Sequence, residues 1–175
     1  DFPNVTLVGI LAADISLYAD DYRAGERTFQ LLTQAAGRAG RGSAAGEVVI
    51  QTYSPEHYSI ETAAEQNYEA FYEEEMQYRN LMGYPPAAHM AAILISGKEE
   101  SLLETASSYI KRYAERVNKQ NVRIIGPTSP HVGKVNDVYR RIIYLKHAEY
   151  DVLIDMKNKL EKYIEINPGF QSMRI

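Results

Sequence analysis

The sequence predicts a mixed architecture: an α/β segment, a helical connector and a C-terminal α+β domain. Three observations carry that prediction. Val5 to Leu11 and Glu47 to Tyr53 are short apolar runs on either side of a helical pattern. Residues 56–82 are rich in strong helix formers and stop at Gly83-Tyr84-Pro85-Pro86. Beyond those prolines the strand and helix patterns alternate in the order β-α-β-β-α-β.

The first run, VTLVGIL, is nearly unbroken and β-branched, which is the pattern of a buried strand in a parallel sheet. Asp20-Asp21 then offer N-caps, and Phe29, Leu32 and Ala36 repeat at helical spacing, predicting a helix over residues 22–37. Gly37, Gly40, Gly42 and Gly46 break that helix before the second run, EVVIQTY. Strand, helix and strand make one right-handed crossover. Two parallel strands are too few for a covered sheet, so further strands are expected upstream of Asp1. Ser54-Pro55 resembles an N-cap with a first-turn proline, and Tyr68, Phe71, Tyr72, Glu75, Tyr78, Arg79 and Met82 recur three or four apart, marking one packing face.

After the prolines, which cannot donate into a helix, Met90 to Ser96 reads as a strand. Leu102, Ala106, Tyr109, Ile110, Tyr113 and Val117 form the stripe of a helix. Val122 to Ile125 is a short strand and Tyr139 to Lys146 a longer one, while Leu153, Met156, Leu160 and Ile164 mark a second helix. Gln171 to Ile175 begins a last, curtailed strand. This order is that of a split βαβ, ferredoxin-like sandwich. The predicted divisions are therefore 1–55, 56–88 and 89–175.

Composition narrows the function. The 175 residues are 45% hydrophobic and 24% charged, and no apolar run approaches the ~20 residues of a spanning helix, so a soluble globular chain without membrane contact is expected. Cysteine is absent, which excludes a disulfide, a thiolate nucleophile and cysteine-ligated zinc within these residues. His57, His89, His131 and His147 are scattered without ligand spacing and read as ordinary polar or capping residues, so no metal site is expected. No Gly-x-Ser-x-Gly elbow occurs, and Glu73, Glu74 and Glu75 splay around a helix instead of sharing a site. Asp1-Phe2-Pro3-Asn4 lacks both an initiator Met and the order of a signal peptide, as expected of a piece of a longer protein. The net charge of -4 conceals two blocks: residues 56–80 carry seven Glu against Arg79, and residues 105–146 carry nine Lys or Arg against Glu115 and Asp137. Either the basic half meets an anion or both are solvated faces.

The densest chemical signal is Gln34-Ala35-Ala36-Gly37-Arg38-Ala39-Gly40-Arg41-Gly42. Two arginines three apart at a helical turn can face the same way, and their planar forks suit phosphate oxygens. Cations that merely offset a helix dipole would look the same, at ~0.3–1 kcal/mol. Gln-x-x-Gly-Arg-x-x-Arg after such a strand, however, resembles motif VI of superfamily 2 helicases. The preceding Asp21-Tyr22-Arg23-Ala24-Gly25-Glu26-Arg27-Thr28-Phe29-Gln30-Leu31-Leu32-Thr33-Gln34 narrows the resemblance to the primosomal protein N′ family. Agreement continues through Gly46-Glu47-Val48, Gln51-Thr52, Glu75-x-x-x-Arg79, Tyr84-Pro85-Pro86, Gly126-Pro127, Tyr139-Arg140 and Lys146.

That resemblance implies part of an ATP-driven DNA helicase moving 3′ to 5′, which recognises branched forks and helps load the replicative helicase. Residues 1–55 would then be the remnant of a RecA-like lobe. Arg38 and Arg41 would be its phosphate-facing catalytic arginines, Gln34 and Gly37 would belong to the same nucleotide cleft, and Asp1-Phe2 would end motif V. ATP with Mg, and zinc, would be bound by the longer protein; the Walker loop, acidic motif and zinc-binding cysteines would lie upstream. The fragment alone is then expected to hydrolyse no ATP, because arginines from one lobe have nothing positioned to act upon. The implied partners are forked and single-stranded DNA, primosome proteins, the helicase loader and single-stranded-DNA-binding protein, in the bacterial cytoplasm at the nucleoid.

A second candidate site is basic: Gly126-Pro127-Thr128-Ser129-Pro130-His131-Val132-Gly133-Lys134, followed by Tyr139-Arg140-Arg141 on a strand. Lys134, Arg140 and Arg141 suit backbone phosphates and Tyr139 suits stacking on a base. Alternation puts Tyr139 and Arg141 on one sheet face and Arg140 on the other. Tyr139 in the core beside solvated cations is the other outcome. Family members usually carry more basic residues where Asn136-Asp137-Val138 stands here. A non-enzymatic adaptor, with Arg38 and Arg41 idle, and another superfamily 2 translocase are the rival functions.

Overall fold

The computed structural model describes residues 5–40 and 45–175. It comprises two compact units, residues 1–78 and 79–175. Asp1-Phe2-Pro3-Asn4 and the segment Arg41-Gly42-Ser43-Ala44 lie outside the described residues.

In the first unit β1 (Leu7–Ile10) pairs in parallel with β2 (Glu47–Ile50), Leu7 opposite Glu47 and Ile10 opposite Ile50, with α1 (Ala24–Ala36) between them in sequence. The expected crossover is present. The strands are not buried, however: exposed and half-buried residues alternate along both, and Leu7 and Val49 are exposed. Helical cover reaches one face only, through Ile10, Ile50, Phe29 and Leu32. Between β1 and α1 the chain also forms a 3-10 helix, Ala13–Tyr18, entered through Ala12 in the left-handed region. Buried Asp14 accepts the Tyr53 N–H at 3.1 Å and so ties this turn to the chain after β2. Asp21 accepts the Arg23 N–H at 3.0 Å, but Arg23 itself is the N-cap of α1.

Residues 56–88 contain two helices, α2 (Tyr58–Ala64) and α3 (Tyr68–Met82). The predicted Ser54-Pro55 cap is displaced: His57 Nδ1 accepts the Ser59 N–H at 3.2 Å and starts α2 instead. On α3 the inward face is Phe71, Glu75 and Arg79, whereas Tyr68, Tyr72, Tyr78 and Met82 are exposed. The face marked by spacing is thus narrower than expected and includes two ionisable residues. Phe71 stacks on Phe29 with ring centroids 4.2 Å apart.

The second unit contains β3 (His89–Gly97), α4 (Glu100–Val117), β4 (Arg123–Thr128), β5 (Lys134–Val135), β6 (Val138–His147) and α5 (Tyr150–Ile166). The sheet order is β3-β6-β4, antiparallel throughout, with β5 folded back on β6. Ser96 forms a single antiparallel bridge with Arg174 on the other edge of β3. The element order agrees with the split βαβ, with the last strand reduced to that bridge. Ile95, Ile143 and Leu145 pack under Leu103, Ala106, Ile110 and Ala114 of α4 and Leu153, Met156 and Leu160 of α5. Leu102, expected in the stripe, is exposed; Leu103 is buried in its place, because the small residues Ala106, Ser107 and Ala114 let that side of α4 approach the sheet.

Candidate nucleic-acid interface

Antiparallel pairing decides how the predicted basic residues are distributed. Residues opposite one another across strands share a sheet face. Ile95, fully buried, pairs with Arg141, and Gly97 pairs with Tyr139, so Tyr139 and Arg141 lie on the side of α4 and α5. Lys134 pairs with Tyr139 and joins them. Ser96 pairs with Arg140, which therefore lies on the opposite face. The four predicted DNA-contacting residues are split three to one by the sheet.

The three on the helical side have different surroundings. Arg141 is mostly buried and engages Glu104 at 2.9 Å, Glu100 at 3.0 Å and the Ser129 hydroxyl at 3.0 Å. Glu104 first, with Glu100, holds its guanidinium above the usual arginine range against the opposing effect of burial. These bonds clip β6 to the first turns of α4. Tyr139 packs against the core while Lys134 lies 4.6 Å over its ring. Lys134 also pairs with Asp137 at 2.9 Å, and Asp137, then Tyr139, raise its ammonium above the ordinary lysine range.

Asn136 and Asp137 explain that geometry. Both have positive φ, 49° and 60°, and they join Val135 to its partner Val138. This is the two-residue hairpin turn in which both central residues are left-handed, a position that Asn and Asp tolerate well. The string Val-Asn-Asp-Val carries the hairpin signal, so the departure from a basic tip has a backbone reason.

Arg140 lines a groove of about 890 Å³ with Leu94, Ser96, Lys98, Leu102, Val138 and Arg174, the last brought there by its bridge to Ser96. Sequence patterning singled out neither Lys98 nor Arg174, because no local motif links residues so far apart. Lys146, by contrast, is buried: its Nζ lies 3.5 Å from the Tyr84 ring centroid and donates to the Met82 carbonyl at 3.2 Å. Burial first, then neighbouring Arg123, push that ammonium below the usual lysine range.

In the first unit Gln34 and Arg38 stand one helical turn apart at the end of α1, both exposed, with exposed Gly37 between them. Arg41 lies outside the described residues. His57 caps α2 as described, whereas His147 Nδ1 accepts the N–H of Glu149, the N-cap residue of α5, at 3.0 Å in the turn before that helix. Among the described residues no cluster of three His, Cys, Asp or Glu is placed to hold a metal, and no helix is long and apolar enough to cross a membrane.

A family model described as the Primosomal protein N C-terminal domain matches residues 80–170, more than half of the chain. The chain belongs to that family. The primosomal protein N C-terminal domain model thus covers nearly all of the second unit, from the end of α3 past α5. Relatives are similar over both units. The Replication restart protein PriA of Bacillus subtilis (strain 168) is 40% identical over 164 residues, 93% of this chain and 20% of the relative. That of Synechocystis sp. is 36% identical over 169 residues, 97% of this chain and 20% of the relative. That of Haemophilus influenzae is 38% identical over 146 residues, 83% of this chain and 20% of the relative. The chain spans about a fifth of the length of these relatives.

Proposed function

We propose that this chain is the C-terminal part of a replication-restart DNA helicase and that its second unit contacts the DNA. The observation that carries this reading is the β5–β6 hairpin of a primosomal-family domain, which presents exposed Lys134 beside Tyr139, with Arg140 on the reverse of the same strand. A cation supplies sequence-independent attraction to phosphate, and the Tyr139 ring beneath it steadies the ammonium at the surface. Arg141, already held by two carboxylates, positions β6 and is not itself the contact.

In this reading residues 1–55 belong to a RecA-like lobe, residues 56–88 link it to the DNA-binding domain at 89–175, and Gln34, Gly37, Arg38 and Arg41 face a nucleotide. Exposure of Gln34 and Arg38 on one side of α1 fits a group approached from outside. ATP with Mg would supply the free energy of translocation. The chain contains no Gly-x-x-x-x-Gly-Lys string to hold its β and γ phosphates and no cysteine for zinc. Those groups are assigned to other parts of a protein of the relatives' length, and arginines here would neutralise charge developing on the transferred phosphoryl group. Primosome proteins, the helicase loader and single-stranded-DNA-binding protein are the proposed partners, and the nucleoid the proposed location.

Fluorescence anisotropy of the 175-residue chain with forked and single-stranded oligonucleotides tests the DNA contact. Binding whose log affinity falls with log salt, weakened by Lys134→Ala and Tyr139→Ala, is expected; absence of binding at low salt would exclude it. In a full-length protein, Arg41→Ala is expected to preserve nucleotide binding and lower turnover by about 10³-fold. Unchanged turnover would make Arg41 structural.

A further inference from the structure

Ser96 is paired on both sides: with Arg140 of β6 through the sheet register, and with Arg174 through the bridge whose two N–H···O bonds measure 2.8 and 2.9 Å. All three side chains therefore stand in one row on the face away from α4 and α5. The two arginines flank a small hydroxyl residue two strand spacings apart, about 10 Å between backbones, so both can reach an anion seated over Ser96. Lys98, just past the end of β3, lines the same groove. One acidic side chain, Glu99, lines the groove with these three cations, and among the described residues none of the three is in an ion pair with an Asp or Glu side chain. Guanidinium forks on either side of a serine match the oxygens of one phosphate.

We propose that the Arg140–Ser96–Arg174 row, with Lys98, seats a backbone phosphate of a single nucleic-acid strand. The assignment rests on the DNA-contact reading above and adds Ser96, Lys98 and Arg174 to it. Leu94 and Val138 share the face of the cations and offer an apolar surface on which an unstacked base can lie, with Leu102 at the groove's edge. The hairpin residues Val135, Asn136 and Val138 form one wall of the groove. Three cations beside apolar side chains suit a nucleic-acid strand, which offers both phosphates and base faces, better than an acidic peptide.

Anisotropy titrations of the 175-residue chain with a short fluorescent oligothymidine, repeated across salt concentrations, test the seat. Arg174→Ala and Lys98→Ala are each expected to weaken binding several-fold and to flatten the salt slope, by at most about 0.7, the contribution of one single-strand phosphate. Arg174→Lys should retain the slope, which separates a charge contact from a folding defect, and Lys157→Ala on exposed α5 should change nothing. Unchanged slopes in both alanine variants would overturn the seat, while continued weakening by Lys134→Ala would leave the DNA contact standing. No oligothymidine binding by the unaltered chain would remove both. Displacement of the oligonucleotide by inorganic phosphate at matched ionic strength, or by polyglutamate at lower concentration than unlabelled oligothymidine, would assign the groove to free phosphate or to an acidic peptide and overturn it.

Discussion

The Tyr58 hydroxyl donates to Glu75 Oε2 across 2.7 Å, and Gly25 is what leaves room for the pair. A Cβ on Gly25 would stand 2.8 Å from the hydroxyl and 2.8 Å from the carboxylate oxygen. Burial first, then the bond to Glu75, push the Tyr58 phenol well above its ordinary range, so it remains a donor at any physiological pH. Gly25→Ala is expected to destabilise the first unit by about 1–3 kcal/mol, by parting a charge-assisted hydrogen bond. In urea unfolding, Gly25→Ala combined with Tyr58→Phe should cost less than the two separately. Strict additivity would show that Gly25 acts elsewhere.

His57 is expected to make the first unit sensitive to acid. As a cap it accepts from Ser59 N–H through Nδ1, which requires a neutral nitrogen, and burial lowers its pKa below 6.5 despite Glu75 and Glu56. The unfolded chain then binds the proton more readily than the folded one. Stability is complete above pH 6.5 and is lost as pH falls through the folded value. His57→Asn retains a cap acceptor and cannot titrate. Thermal melting between pH 8 and pH 5 should show a smaller acid loss in that variant; parallel curves would count against the cap.

Lys146→Ala is expected to cost the second unit about 2–4 kcal/mol, from the orphaned Met82 carbonyl, the lost contact with the Tyr84 ring and the space vacated by the stem. Lys146→Met restores the stem and should recover part of that loss. Equal denaturation midpoints for the two variants would show that the aliphatic portion contributes nothing.

Asp137→Gly is expected to strengthen oligonucleotide binding with little change in stability. Glycine suits the 60° φ at that position, and the exposed pair with Lys134 is screened by solvent. Removing the carboxylate leaves the Lys134 charge to the phosphate. A weaker complex would mean that Asp137 shapes the contact.

Arg141→Ala and Arg140→Ala should separate by readout. The first releases the clip to Glu100 and Glu104 and is expected to lower the melting temperature while leaving the salt slope in place. The second is expected to flatten the slope at nearly constant stability. The reverse pattern would return the DNA contact to the helical side of the sheet.

Much of this was legible in the residue pattern, because strong periodicity reflects burial directly. Met90 to Ser96 and Tyr139 to Lys146 fall inside β3 and β6, and Leu153, Met156 and Leu160 are the buried face of α5. What escaped depends on contacts distant in sequence or on small polar groups. On α4 Ala106 and Ile110 are buried as the stripe predicts, but Leu103, Ser107 and Ala114 complete the buried face while Leu102 and Tyr109 are exposed, because apolar spacing does not register a buried serine. His57 outcompeted Ser54-Pro55 as a cap through a single ring nitrogen. The row of Arg140, Ser96 and Arg174 needs strand register to exist at all, so neither Ser96 nor Arg174 carried a local signal.

The hairpin apex at Asn136 and Asp137 sets a limit on how this surface can vary. Left-handed backbone at two consecutive positions admits Asn, Asp or Gly readily and penalises a long branched or basic side chain by about 1–2 kcal/mol. Positive charge is therefore confined to the flanks of the prong. A tighter grip on polyanions is reached by recharging the stem, where Lys134 already sits, or by lengthening the loop at the expense of its rigid reach.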